Sequence, residues 1–346
     1  ESVRDSYEDA LRAIWQGKAE NDSFNRLVIG ARLDWRSVAL IRAYARYIKQ
    51  LGSLLSLDFI ASVLSSNVDI TRDLMALFRC LFDPRRGAQK SSEERENKLR
   101  DGILHALDEV QNLNEDQVLR QYLECIDATL RCNFFQQDDA LQYRDCIALK
   151  ISTRDLSFAP APRPEYEIFV FSPRVEGVHL RGGKVARGGI RWSDRLEDYR
   201  TEILGLVKAQ QVKNAVIVPT GAKGGFVARR SAQLESREEL FSEGVACYKL
   251  FIGSLLDITD NREGDRVVPP ESVVCRDDDD PYLVVAADKG TASFSDIAND
   301  IALSRGFWLG DAFASGGSNG YDHKAMGITA RGAWVAVQRH FRELGI

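Results

Sequence analysis

Apolar residues recur at helical spacing through the first 150 residues of the chain. In segment 34–51, Asp34 is a suitable N-cap, and one helical stripe holds Val38, Ile41, Ala45 and Ile48. The same spacing continues in segments 71–82, 97–110 and 114–130, the first of which opens on Thr71 as a cap. The pattern therefore predicts an all-α region over residues 1–150, and we find in it no cluster of residues suited to catalysis.

Near residue 150 the pattern changes to short β-branched runs that alternate with amphipathic helices. Strands are predicted at 147–152 (IALKIS), 166–171 (YEIFVF), 177–180 (GVHL) and 215–219 (AVIVP). The apolar run 282–288 (YLVVAAD) is typical of a buried parallel strand. Helices are predicted from Ser193 to Lys213, after a capping box of Ser236 and Glu239, around 294–301, and from Thr329 to Leu344. This alternation indicates an α/β domain over residues 151–346.

Composition narrows the class of protein. The net charge of −5 argues against a nucleic-acid partner, and no apolar run approaches the ~18 residues of a membrane helix. The six cysteines show no C-x-x-C spacing, which suits reduced thiols in a cytoplasmic protein. The four histidines form no metal-binding pattern, so we expect no metal.

The segment 213–226 (KNAVIVPTGAKGGF) is the first candidate for chemistry. Its β-branched run ends at Pro219, and a predicted loop of three glycines surrounds Lys223. A phosphate cradle, an exposed catalytic lysine and a plain turn all suit such a loop, but the spacing fails the Walker pattern. The glycines of 181–189 resemble RNA-binding RGG segments, although an acidic chain disfavours that function. The acidic run 277–280 is expected to be a solvated turn rather than a calcium site.

Cations concentrate around this segment, at positions Arg187, Arg191, Lys208, Lys213 and Lys223. Gln210 lies one helical turn before Lys213, so an amide and an ammonium can bind one carboxylate together. A pocket with several cations favours a small acid with more than one carboxylate, and it lowers the pKa of its most desolvated lysine. Such a lysine can act as a base near neutral pH.

The motifs ARGGIRWSD (186–194), KAQQVKNAVIVPTGAKGGF (208–226) and VAADKGT (285–291) resemble the substrate domain of glutamate dehydrogenases, and more narrowly the very large NAD-specific bacterial class. The resemblance implies that Lys223 is the catalytic lysine and that Asp288 exchanges a proton with the substrate amine. It implies that Lys213 and Gln210 hold the α-carboxylate. Arg187 stands where the small enzymes carry a lysine that binds the side-chain carboxylate, and arginine keeps that charge on a larger, forked group.

The resemblance also implies NAD as the cofactor, glutamate, 2-oxoglutarate and ammonia as reactants, and assembly into a homo-oligomer. Glycine clusters 181–189 and 314–323 lack the G-x-G-x-x-G spacing between a strand and a helix. We therefore expect a Rossmann domain beyond this chain to bind NAD, and the chain alone to be inactive. Two alternatives stay open: a dehydrogenase for another amino acid, and a non-catalytic sensor of glutamate or 2-oxoglutarate.

Overall fold

The first half of the chain is a bundle of α-helices. The computed structural model describes residues 3–86, 90–138, 140–213, 220–320 and 323–346, without the side chains of 90–92, 210–213, 323–324 and 329. The helices of this half are α1 (Val3–Trp15), α2 (Arg26–Gly30), α3 (Trp35–Gln50), α4 (Leu57–Ser66), α5 (Val68–Phe82), α6 (Lys90–Asp108) and α7 (Leu113–Ala128).

Helix α3 is the centre of this bundle. Its predicted cap is confirmed, since the Asp34 carboxylate accepts a hydrogen bond from the Ser37 amide. The helix is buried on nearly all sides rather than along one stripe, because it packs against both the other helices and the sheet. The predicted start of α5 at Thr71 is wrong. Helix α5 begins at Val68, and the Thr71 hydroxyl lies inside it, donating to the carbonyls of Leu64 and Asn67.

The second half is built on a mixed eight-stranded sheet, in the order β1-β2-β3-β4-β6-β5-β9-β10. Its strands are β1 (Thr129–Cys132), β2 (Ile147–Ile151), β3 (Tyr166–Phe171), β4 (Val175–Arg181), β5 (Ala186–Trp192), β6 (Thr220–Ala228), β9 (Val285–Ala287) and β10 (Ala314–Ser315), and β7 (Asn261–Glu263) with β8 (Arg266–Val268) forms a separate hairpin. Strands β1 to β4 and β6 pair antiparallel, whereas β6, β5, β9 and β10 pair parallel. The predicted parallel strand at 282–288 is thus confirmed as β9.

Helices cover both faces of this sheet. They are α8 (Tyr199–Lys213), α9 (Arg237–Asp257) and α10 (Ser295–Ser304), whereas α11 (His323–Met326) and α12 (Ile328–Glu343) follow the last strand, and their described residues belong to neither core. Helix α8 and the first-half bundle form one core on one face, while α9 and α10 form a second core on the other. The capping box of Ser236 and Glu239 is confirmed at the start of α9. In the described part of the chain, no helix is long and apolar enough to cross a membrane.

Two predictions in this half need correction. The glycine segment around Lys223 is not a loop but part of strand β6, and the strand predicted at 215–219 lies outside the described residues. Helix α8 begins at Tyr199 instead of Ser193. The Ser193 hydroxyl accepts a hydrogen bond from the Arg195 amide and donates one to Glu202, so the chain turns before the helix starts.

Close packing explains the glycines of β5 and β6. A Cβ built on Gly188 would lie 1.5 Å from the Ala222 carbonyl oxygen, and one built on Gly224 would lie 2.4 Å from the Ile190 side chain. Alanine at either position would collide with a neighbouring strand or its side chain. The glycines therefore let the central strands approach each other closely, rather than forming a flexible turn.

Candidate active site

Lys223 and Asp288 meet at the parallel part of the sheet. The Lys223 Nζ atom lies 2.6 Å from Asp288 Oδ2. Lys223 projects from β6 and is only 5% exposed, while Asp288 follows β9 directly and keeps a fifth of its side chain exposed. The structure thus brings together, in one ion pair, two residues that the sequence singled out separately.

Arg191 completes this pair as a third charged group. Strand β5 lies between β6 and β9, and from it the Arg191 Nε atom donates to Asp288 Oδ2 at 3.0 Å. Its Nη1 atom donates to Glu202 Oε1 on α8 at 2.8 Å. The other Glu202 oxygen accepts from the Ser193 hydroxyl at 2.7 Å. Among the described residues, two cations and two carboxylates therefore alternate in one network, in the order Lys223, Asp288, Arg191, Glu202.

This network keeps Asp288 ionised. Burial acts to raise its pKa, but hydrogen bonds from Lys223, from Arg191 and from the Lys289 amide outweigh burial and hold the pKa below the usual aspartate value. Burial likewise acts to lower the pKa of Arg191, and its bonds to Asp288 and Glu202 raise it overall. Asp288 and Arg191 are therefore both charged at neutral pH. The Asp288 carboxylate can thus act as a base or as an ion-pair partner for an ammonium group.

The backbone around Asp288 is tied to β5. The Asp288 amide donates to Thr291 Oγ1 at 3.1 Å, and the Thr291 hydroxyl donates to the Ile190 carbonyl at 2.7 Å. The Trp192 amide donates to the Lys289 carbonyl at 3.1 Å. These bonds hold the turn after β9 against β5, so the carboxylate is positioned by strands rather than by a loose loop.

We expect Arg191→Gln to raise the pKa of Asp288, because one of the two side-chain donors to its carboxylate is lost. A lowered carboxyl pKa stabilises the fold above the unfolded-state pKa, and this stability is lost as the pH falls through the folded-state pKa. The variant should therefore lose this stabilisation at a higher pH than the wild type does. NMR titration of the Asp288 carboxyl carbon and acid unfolding measure the two pH values. The matched control is Arg195→Gln, which breaks an exposed pair with Asp198. Equal Asp288 titration in wild type and Arg191→Gln would contradict the assigned contact.

The remaining predicted site residues divide into two groups. Arg187 lies on β5, half-buried, opposite Gly221 of the neighbouring strand that carries Lys223. Gln210 and Lys213 belong to the last turn of α8, and their side chains lie outside the described atoms. Their assigned contacts with a substrate therefore stay predictions.

Sequence reasoning missed the partners of Asp288. Arg191 was counted only as one of several cations, and neither Glu202 nor Thr291 was singled out. The available signal for Arg191 was its place directly after G-G-I in the motif around 186–194. No local pattern marks Glu202, because only folding brings α8 over β5.

The prediction of a solvated turn at 277–280 is wrong for two of its four aspartates. Asp280 is 3% exposed and bonds Lys150 at 2.6 Å and Arg181, whereas Asp278 is 96% exposed. Asp277 bonds Lys150 and also Arg131, which in turn bonds Asp260 at 2.6 Å. Burial favours the neutral acid, but Arg181 and Lys150 lower the pKa of Asp280 to about 2. Asp277 and Asp280 thus belong to a buried ion cluster in which strand cations already balance their charges.

The glycine clusters of the described residues do not fit a dinucleotide pyrophosphate. Cluster 314–323 does follow a strand, β10, but its turn already holds a carboxylate: the Ser318 amide and hydroxyl donate to Asp296 Oδ1 at 2.7 and 3.0 Å. A pyrophosphate would need such amides and would be repelled by that charge. In cluster 181–189, Gly188 packs against β6. The described contacts of Ser318 and Gly188 therefore speak against a phosphate-binding turn in either cluster.

The chain is similar to known proteins over its whole length. The family described as "Bacterial NAD-glutamate dehydrogenase, catalytic domain" matches residues 102–346, and "Glutamate dehydrogenase, helical motif 3" matches residues 19–84. Proteins named NAD-specific glutamate dehydrogenase are 60% identical in Halomonas elongata and 61% in Pseudomonas aeruginosa, each over 100% of this chain. One from Mycobacterium tuberculosis is 55% identical over 98% of it. The chain spans 21% of the length of each of these relatives.

Proposed function

Because the chain belongs to the bacterial NAD-glutamate dehydrogenase family, we propose that it supplies the substrate-binding and catalytic half of an enzyme that oxidatively deaminates L-glutamate. The products are 2-oxoglutarate and ammonia, with NAD as hydride acceptor. The observation that carries this proposal is the buried Lys223–Asp288 pair at 2.6 Å, in a chain at least 55% identical to proteins named for that activity. A sensor would need only the cations that bind its ligand, so the presence of both Lys223 and Asp288 favours an enzyme.

The proposed division of the chain follows from the same resemblance. Residues 1–150 are the helical region and 151–346 are an α/β substrate domain of the glutamate dehydrogenase type, with the correction that the predicted all-α region also contributes β1 and most of β2 to the sheet. NAD binds mostly outside this chain, which agrees with the poor fit of both glycine clusters to a pyrophosphate. We extend the proposal to a cytoplasmic location, in keeping with six reduced cysteines, five of them buried. The resemblance to the family further leads us to propose a homo-oligomer. Metal, nucleic acid and membrane have no part in it.

Proton transfer is the proposed task of the two paired residues. Asp288 accepts a proton from the substrate ammonium, so that the amine lone pair can assist loss of hydride from Cα and leave an iminium. Once Asp288 is protonated it no longer holds Lys223 as an ammonium, and Lys223 in its neutral amine form accepts a proton from the water that attacks the iminium carbon. Asp288 returns its proton to the amine nitrogen of the resulting carbinolamine, the C–N bond breaks to release ammonia, and the hydroxyl proton passes back to the Asp288 carboxylate as the C=O bond of 2-oxoglutarate forms. Arg191 and Thr291 keep Asp288 in position through both proton transfers.

Recognition of the two substrate carboxylates is assigned to the remaining predicted site residues. Lys213 and Gln210 hold the α-carboxylate, and Arg187 binds the side-chain carboxylate. An apolar substrate side chain placed against Arg187 would desolvate the guanidinium and accept no hydrogen bond from it, which is costly. This cost favours glutamate over the alternative of a dehydrogenase for an apolar amino acid.

We expect Arg187→Met to raise KM for glutamate by roughly 10- to 100-fold, because charge-assisted hydrogen bonds contribute about 1.5–3 kcal/mol each. The measurement is the initial rate of NADH formation by the full-length protein at varied glutamate. The matched control is Lys208→Met, an exposed cation on α8. An unchanged KM in Arg187→Met would remove Arg187 from the substrate site.

Calorimetry tests the proposed substrate class. The full-length protein and its Lys213→Ala variant are titrated with 2-oxoglutarate and, as an apolar control, with 2-oxoisocaproate. We expect 2-oxoglutarate to bind roughly 100-fold more tightly than the control, with a loss of affinity in the variant. Equal affinity for both acids would support a dehydrogenase for another amino acid. Binding of 2-oxoglutarate without any NAD-dependent turnover would support the sensor.

A further inference from the structure

A second cationic cleft lies in the helical half, away from the Lys223 site. It has a volume of about 700 Å³ and lies between the loop after α2, helix α5 and the first turns of α6. Its lining includes five arginines, which are Arg32, Arg72, Arg79, Arg86 and Arg95. Leu33 and Met75, both buried, form part of an apolar floor. This volume and this mixture of apolar and polar groups are typical of small-ligand sites.

The charge of this cleft is one-sided. Within the described part of the chain, no acidic residue lines it. Three of its arginines bond carboxylates that stand outside the lining: Arg72 with Asp69 at 2.6 Å, Arg79 with Asp34 at 2.8 Å, and Arg86 with Asp83 at 3.8 Å. Arg72 also donates to the carbonyls of Gly30 and Ala31. These bonds fix the guanidinium groups in place, so a ligand would meet a preorganised wall.

Arg32 and Arg95 differ from the other three. Among the described residues neither forms an ion pair or a side-chain hydrogen bond, and both are exposed. Arg32 also has a φ of +52°, in the left-handed region that residues with a Cβ seldom adopt. Such backbone costs about 1 kcal/mol or more and is concentrated at ligand-binding positions. Arg32 is thus held in a strained backbone conformation, and no residue of the described part neutralises its charge.

We propose that this cleft binds a small multivalent anion that carries phosphate groups. Guanidinium forks match phosphate oxygens two at a time, and arginine is the residue best suited to that geometry. The paired arginines provide a fixed wall, and Arg32 and Arg95 supply the charge that the ligand neutralises. The apolar floor leaves room for an organic group attached to the phosphates. The site lies on helices that contribute nothing to the Lys223–Asp288 network, so it is separate from the active site.

The test is calorimetric titration of the full-length protein with inorganic tripolyphosphate and with ATP, both without Mg²⁺, at low and at 0.5 M salt. The variant is Arg32→Gln/Arg95→Gln, which removes two charges at exposed positions that make no bonds to the described fold. The matched control is Arg4→Gln/Arg266→Gln, two exposed arginines outside the cleft. NAD is present in excess throughout, so that a cofactor site is already occupied.

We expect saturable binding to the wild type and the control, at least tenfold weaker binding to the cleft variant, and weakening by salt. Equal affinity for tripolyphosphate and ATP would show that the phosphates alone are recognised, whereas tighter binding of ATP would show that the apolar floor contributes. Circular dichroism checks that the variant is folded. The proposal is overturned if the wild type binds neither probe, or if the folded cleft variant binds both as tightly as the wild type does.

Discussion

Replacing Lys223 by methionine lowers kcat for glutamate oxidation by roughly 10²- to 10⁴-fold, the range that a positioned acid–base group contributes. Methionine keeps the length of the buried side chain and removes the amino group that, in its neutral form, is to accept a proton from water. It also removes the first of the two side-chain donors that hold Asp288 ionised. Catalysis and the charge state of its partner are therefore expected to change together.

The measurement is steady-state NADH formation by the full-length enzyme, with protein content and thermal stability checked in parallel. Lys208→Met is again the matched control, since it removes an exposed lysine from α8 and should keep its rate within about twofold. A Lys223→Met enzyme that turns over within tenfold of the wild type would exclude Lys223 as the base.

Asp280→Asn should destabilise the fold by roughly 3–5 kcal/mol, because removal of one partner leaves buried charges uncompensated. Asp280 bonds both Lys150 and Arg181, whose side chains are 1% and 3% exposed, and it connects the segment before β9 to strands β2 and β4. Asparagine keeps the shape but not the charge. The reason for a large effect is thus the buried Arg181, which loses its carboxylate partner, together with Lys150, which among the described residues keeps only Asp277 as a carboxylate partner.

Urea unfolding of the wild type, Asp280→Asn and the control Asp278→Asn measures this effect. Asp278 is 96% exposed, so its variant should stay within about 0.5 kcal/mol of the wild type. The pH gives a second check. Since the Asp280 pKa is lowered to about 2 from 3.8, its stabilisation is complete above the unfolded value and is lost only as the pH falls towards 2. If the Asp280→Asn protein were as stable as Asp278→Asn, the ion pairs of Asp280 would contribute nothing to the free energy of unfolding.

Local sequence patterns predicted much of the secondary structure. The Asp34 cap, the Ser236–Glu239 capping box, strands β2, β3, β4 and β9 and the last helix follow from spacing and capping, which act within a few residues. The pairing of Lys223 with Asp288 was accessible only through the resemblance to a family. Two residues on different strands meet because the sheet orders β6, β5 and β9 side by side, and strand order is a long-range property.

Glycine and aspartate misled the sequence reading for one physical reason. Glycines permit a turn and also permit close approach of two backbones, and the chain around Lys223 uses the second property. A run of aspartates is expected to be solvated when only its neighbours in sequence are considered. Asp277 and Asp280 are buried because they form ion pairs with Lys150 and Arg181, which lie on strands distant in sequence. In both segments the deciding partner lies far away in the sequence, where local composition carries no information about it.

The most direct test of the central claim is the rate of NAD reduction by the purified full-length protein with L-glutamate, compared with L-leucine at the same concentration. The account predicts NADH and 2-oxoglutarate in equal amounts with glutamate. It predicts a rate with leucine lower by roughly 100-fold or more, since the leucine side chain cannot accept the hydrogen bonds that a carboxylate accepts from Arg187. Oxidation of leucine at a comparable rate, or no NADH with either amino acid from a folded, NAD-binding protein, would contradict it.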